Sequence, residues 1–214
     1  MVFLLAAIVS AVIYLRPSRT PTRAIIAEIL PPEKTQFNFL YWEGGSPPVL
    51  SPDGGAVVFS VKDANGKQML WVRSFDSLAA RPLAGTEGGI FPFWSPDSRK
   101  LGFLAGRKLK TLELSGGLAR VAADDLSVHI ALNDREWTRF PEYGGGSWNR
   151  EGTLLFVPDV FKGLYQVAAS GGAPVLVLEL DKSKYKSCFW PKFLPDGKHF
   201  LYHVRAIDPA SSGT

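Results

Sequence analysis

Cysteine is almost missing from this chain: Cys188 stands alone among 214 residues. One thiol cannot close an internal disulfide, and with only three histidines no Cys/His cluster has the spacing of a zinc site. Beside Phe189 and Trp190, a lone cysteine reads as a small buried hydrophobe. Charge of one sign is also scarce. The net charge is only +4, lysines and arginines are scattered among acids, and no basic stripe runs along the chain, which argues against a nucleic-acid partner. A full-length membrane span is missing as well. The longest apolar run, "VFLLAAIVSAVIYL" from Val2 to Leu15, falls short of the roughly 20 residues a spanning helix needs.

That run still has a role to fill. It lacks the positive leader of a secretory signal, and "YLRPSR" is a poor cleavage site. Residues 1–16 are therefore expected to form a hydrophobic helix, either the outer part of a transmembrane segment that continues upstream or an uncleaved anchor. The tract "RPSRTPTR" then detaches the helix from the rest of the chain, so 17–40 reads as a linker and lead-in strand, and 41–214 as the main domain. Arg16, Arg19 and Arg23 behind the anchor would, by the positive-inside tendency, draw this side toward the cytoplasm.

What the chain does have is glycine (21), proline (16) and aromatics (12%), the composition of many short strands joined by specified turns. It also repeats. Four phrases align on an acidic corner: "PPVLSPDGGAVVFS" (47–60), "FPFWSPDSRKLGFL" (91–104), "GGSWNREGTLLFV" (145–157) and "WPKFLPDGKHFLYH" (190–203). The corner acids are Asp53, Asp97, Glu151 and Asp196, spaced by 44, 54 and 45 residues. A unit of 40 to 45 residues is the length of a four-stranded propeller blade. In each unit an aromatic or leucine precedes the turn. Proline presets φ in three of the four corners, and an apolar strand ending in Phe or Tyr comes next. Further strands are predicted at 68–75, 109–114 and 164–169, with Asn65-Gly66 a hairpin signal, and outer strands near 118–123 and 174–180. The fold class is thus all-β: a partial β-propeller of four-stranded antiparallel blades, three full and part of a fourth, behind an N-terminal hydrophobic helix. The corner aromatics are expected to pack between neighbouring blades.

Candidate chemistry is thin. His199 and His203 would suit a metal on a helix, but in a strand their Cα atoms lie roughly 13 Å apart at about 3.3 Å per residue. His129 has no obvious partner. "GGGSWN" (144–149) lacks the last glycine of a nucleophile elbow. "GTEGG" (85–89) and "YGGG" (143–146) precede no helix, so they are connectors and not phosphate cradles. The corner acids recur once per blade, are assigned to turn chemistry, and are expected to sit tens of ångströms apart. No catalytic, cofactor or metal residue is assigned. The individual feature is "DDLSVHIALNDREWTRFPEYGGG" (124–146), the extra length of unit two, whose Arg135, Trp137, Phe140 and Tyr143 are candidate partner-binding residues.

At its Ser-Pro-Asp corners the chain resembles the TolB-like propeller repeat, the Pro-Asp relative of the WD repeat, over roughly residues 40 to 206. Unit three departs from the pattern, with "NREG" in place of the Pro-Asp core. The layout of anchor, proline-rich linker and "FWPKFLPDGKHFLYHVRA" (189–206) looks like the extracytoplasmic half of bacterial membrane-anchored serine/threonine kinases. No Gly-rich phosphate loop, V-A-I-K lysine, H-R-D or D-F-G is present, so no kinase residue is carried over. The resemblance implies a non-catalytic binding or sensor domain outside the membrane, opposite to the pull of the three arginines, with an unidentified protein or small-ligand partner. It also implies that the rest of the ring lies in further sequence, with "AIIAEI" (24–29) pairing with the last blade. Two other readings stay open: a TolB-like periplasmic scaffold, and the propeller of a prolyl-oligopeptidase-type peptidase without its hydrolase domain.

Overall fold

A computed structural model describes residues 27–39, 46–124, 126 and 144–208. The expected helix over 1–16, and Arg135, Trp137, Phe140 and Tyr143, lie outside them. Among the described residues there is no helix, and so none long and apolar enough to cross a membrane. Pro31 onward forms one compact unit.

That unit is a succession of antiparallel sheets. The first contains β1 (Thr35–Phe37), β2 (Val49–Leu50), β3 (Ala56–Asp63), β4 (Gln68–Ser74) and β5 (Arg81–Pro82). The second is β6 (Gly89–Trp94), β7 (Lys100–Ala105), β8 (Lys108–Glu113) and β9 (Arg120–Ala123), paired in that order. The third is β10 (Gly146–Trp148), β11 (Thr153–Phe156), β12 (Gly163–Ala168) and β13 (Val175–Glu179), and the fourth holds β14 (Tyr185–Phe193) and β15 (Phe200–Ala206). The sheets fall where the repeat places them.

Two details differ from the sequence reading. The lead-in strand is β1, and it pairs with β3 of the first sheet, Phe37 opposite Val61. It shares one edge of β3 with β2, so the first sheet's innermost strand is made in two pieces. Residues 27–29, the described part of "AIIAEI", are in no strand. In the β3–β4 hairpin only Gly66 takes a left-handed φ (78°), while Asp63 Oδ1 accepts from the N–H groups of Asn65 and Lys67 (2.9 and 2.8 Å). The hairpin that Asn65-Gly66 signals is thus formed, its loop also closed by backbone bonds from Asp63 N to the Lys67 carbonyl (3.0 Å) and from Gly66 N to the Asp63 carbonyl (2.9 Å).

Strand alternation explains how the sheets hold together. Successive side chains point to opposite faces. Leu101 and Phe103 of β7 pack with Val58, Leu70 and Val72 of the first sheet, while Leu104 packs with Leu154 and Phe156 of the third. Leu155 and Val157 then turn the other way, onto Cys188 and Val204 of the fourth. Each middle sheet is buried on both faces, and each apolar cluster belongs to two neighbours. Trp94 and Trp148, just before their corners, sit in two of these clusters.

Candidate functional site

The corners come first because they fix the inner ends of the sheets. In the first, Ser51 Oγ donates to Asp53 Oδ1 (2.6 Å), which also accepts from Gly55 N (2.9 Å), and Gly54 supplies the left-handed φ of 73°. The second repeats this with Ser95 Oγ on Asp97 Oδ1 (2.5 Å) and Arg99 N (3.1 Å), Ser98 taking φ 59° where the others use glycine. These bonds, from the serine hydroxyl above all, hold the Asp53 and Asp97 carboxyls below the usual range. In the fourth, Asp196 Oδ1 accepts from Lys198 N and His199 N, and its Oδ2 lies 2.5 Å from His199 Nδ1. His199 is therefore a corner residue and only His203 is in the strand. The third corner is closed differently: Asn149 Oδ1 accepts from Thr153 N (2.8 Å), and Glu151 reaches toward the fourth corner, where a Cβ on Gly197 would lie 2.7 Å from Glu151 Oε2.

The corners were expected tens of ångströms apart, and adjacent ones instead touch. Asp53 N donates to Ser98 Oγ (3.1 Å), and Asn149 Nδ2 donates to the Gly197 carbonyl (2.9 Å). The reason is that the first strands of successive sheets lie side by side. The Trp94 indole N–H reaches the Val49 carbonyl (2.9 Å), and Ser147 Oγ accepts from Phe193 N (3.0 Å). That last bond leaves the serine of "GGGSWN" buried and structural.

Further along, these first strands open a groove of about 370 Å3 lined by Ser46, Pro47, Phe91, Gly145, Trp190 and Lys192, among others. Pro47, Phe91, Gly145 and Trp190 each stand six residues before their corner acid. At this point β6 and β14 bulge, between Ile90 and Phe93 and between Phe189 and Lys192, and φ turns positive at Phe91 (49°), Gly145 (80°) and Trp190 (50°). For a bulky non-glycine residue such a conformation costs about 1–3 kcal/mol. Phe91 recovers that by burial, being 6% exposed, but Trp190 is 50% exposed. Its indole lies 5.5 Å from the Phe189 ring and 5.6 Å from His203, and its N–H in the backbone donates to the Gly144 carbonyl. The sequence reading missed this site. The available signal was the residue after it, proline in three units (Pro48, Pro92, Pro191) and Gly146 in the fourth.

Burial pushes the Cys188 thiol up to about 12, which leaves it inert. Among the described residues no three His, Cys, Asp or Glu side chains converge on one point.

Sheets stacked face to face in sequence order, with their first strands gathered along one line, define a propeller-type repeat protein. The solved structures agree. The chain is similar to a protein described as a TolB of Agrobacterium tumefaciens, with a TM-score of 0.59 and 15% identity over 76% of this chain and 55% of that one. TolB from Acinetobacter baumannii (TM-score 0.52, 13% identity, 78% and 41% covered) and a chain of a nidogen/laminin complex (0.51, 17%, 78% and 61%) are also similar. These likenesses establish the fold, a β-propeller of TolB-like type, and the chain spans about half the length of those structures. Neither a protein-family model nor a curated protein matches the sequence.

Proposed function

We propose that this chain is a non-catalytic binding domain of a membrane-anchored bacterial protein, placed outside the cytoplasm, with the groove between its first strands as the binding face. The observation that carries the reading is Trp190: a half-exposed aromatic ring kept on a left-handed backbone inside a groove that four units share. Strained residues of this kind gather at functional sites, where the surrounding structure holds them in place. The TolB-like fold favours the extracytoplasmic placement, and the apolar run before Arg16 supplies the anchor. The sequence layout supports attachment to a receptor-like serine/threonine kinase, and the fold alone supports a periplasmic scaffold equally well. Arg135, Trp137, Phe140 and Tyr143, in the sequence between β9 and β10, are proposed as further partner-binding residues.

Two measurements test this. Alkaline phosphatase fused after residue 208 is expected to be active in intact cells, and a cytoplasm-only signal rejects the placement. A photo-crosslinking residue at position 190 is expected to give an adduct in cells that the same residue at exposed Leu118 does not give. Equal labelling at both positions rejects the groove.

A further inference from the structure

We propose that the groove takes an aromatic or apolar group bearing one carboxylate, the ring stacking on Trp190 and the carboxylate pairing with Lys192. The proposal rests on the groove being the binding face and goes on to name what occupies it.

The walls make the argument. Three of the lining residues are prolines (Pro47, Pro92 and Pro191), and proline has no backbone N–H. Val49, Phe91 and the glycines add no side-chain donor. An anion entering the groove therefore meets few backbone donors. Lys192 is the charged residue among those that line it, is exposed, and makes no ion pair among the described residues. It stands two residues after Trp190, just past the β14 bulge, so one irregularity in one strand places both. Ser46, from the first unit, also lines the groove. Its side chain is fully buried, and its Oγ has no hydrogen-bond partner among the described residues. A buried hydroxyl without a partner is unusual enough to need a cause, and a polar group on a bound molecule is one. The remaining surface is apolar, and the half-exposed Trp190 ring, tilted against Phe189 and His203, gives the groove an aromatic surface.

A volume of about 370 Å3 is at the small end of ligand pockets, room for one ring and a short acid arm. Two sources have this chemistry: a free aromatic acid, and the C-terminal residue of a peptide.

The test uses calorimetry on the full 214-residue chain with four probes: 3-phenylpropionate, 3-phenylpropionamide, and N-acetyl-Pro-Phe as the free acid and as the amide. Each acid that binds is expected to do so at least about tenfold more tightly than its amide, as loss of one charge-assisted bond implies. Binding of the free acid identifies a small molecule as the source, and binding of the peptide acid alone identifies a chain terminus. Lys192→Met is expected to abolish the acid preference. Trp190→Gly is expected to remove binding of every probe while the sheets stay folded by circular dichroism, because glycine takes this φ without strain and only half of the indole is buried. Equal binding of acid and amide, still lost in Trp190→Gly, overturns the carboxylate assignment and leaves the groove a binding face. Binding that survives Trp190→Gly overturns the groove itself, and absence of binding by all four probes overturns the proposal.

Discussion

At the scale of single residues, the corners show how a short polar phrase becomes a fixed geometry. The serine hydroxyl and a backbone N–H both point at one carboxylate oxygen, and they favour its charged form. A folded-state pKa below the usual 3.8 means that the corner's contribution is fully present above that value and is lost as the pH falls through the lowered one. Asp97→Asn is therefore expected to leave the melting temperature at pH 7 modestly lower and to flatten its decline as the pH falls below 3.8, followed by circular dichroism. The fourth corner works in the opposite sense for its histidine. The Asp196 carboxylate bonds to His199 and raises it above 6.5, so the stabilisation from protonated His199 is full below that value and fades as the pH rises through the raised one. NMR titration is expected to find His199 titrating above 6.5 and to return it toward 6.5 in Asp196→Asn. A curve that Asp196→Asn does not move would break the pair.

At the scale of elements, the strands and their sequence order were legible, and the contacts between sheets were not. The near-continuous apolar runs in "AVVFSVKD" and "KLGFLA" show that both faces are apolar, which is enough to place a strand inside a stack. They do not show what a glycine is for. Gly102 lies in β7, and Gly146, read from the sequence as part of the connector 143–146, lies in β10. The structure shows that both make room for one ring: a Cβ on Gly102 would lie 2.3 Å from Phe93, and one on Gly146 2.5 Å from it. Phe93 is thus wedged between the second and third sheets. Gly102→Ala is expected to cost about 1–3 kcal/mol in denaturant unfolding, since the aromatic ring is packed on its other side and cannot retreat. In a Phe93→Leu background the same change is expected to cost measurably less, and full additivity of the two would mean that the ring is not the obstacle. The left-handed step six residues before the second, third and fourth acids was hidden for a related reason. The repeated proline after it was visible, but a bulge is a relation between two strands, and the sequence of one does not reveal it.

At the scale of the whole β-unit, the three apolar clusters set how the molecule should respond to damage. Each spans two adjacent sheets and none spans three, so the stack is held by nearest-neighbour contacts, as in repeat proteins generally. The same arrangement explains why corner spacing was misjudged: an interval along the chain says nothing about how closely the corners converge in space. Leu101→Ala empties a fully buried site between the first and second sheets and is expected to cost about 2–5 kcal/mol locally. If coupling runs only between neighbours, hydrogen exchange should accelerate most in β3, β4, β7 and β8 and least in β14 and β15. Val204→Ala, on the far side of the stack, should reverse that order, loosening β14 and β15 and their contacts with Leu155 and Leu164 while leaving β3 protected. Uniform acceleration by either substitution would mean that the sheets unfold as one cooperative block. A separable fourth sheet has a consequence for the groove, because Trp190 and Lys192 both ride on β14. Val204→Ala should then weaken any ligand held there, while Leu101→Ala, of equal or greater total cost, should spare it. The groove is built from all four sheets, but its aromatic and cationic wall belongs to the last.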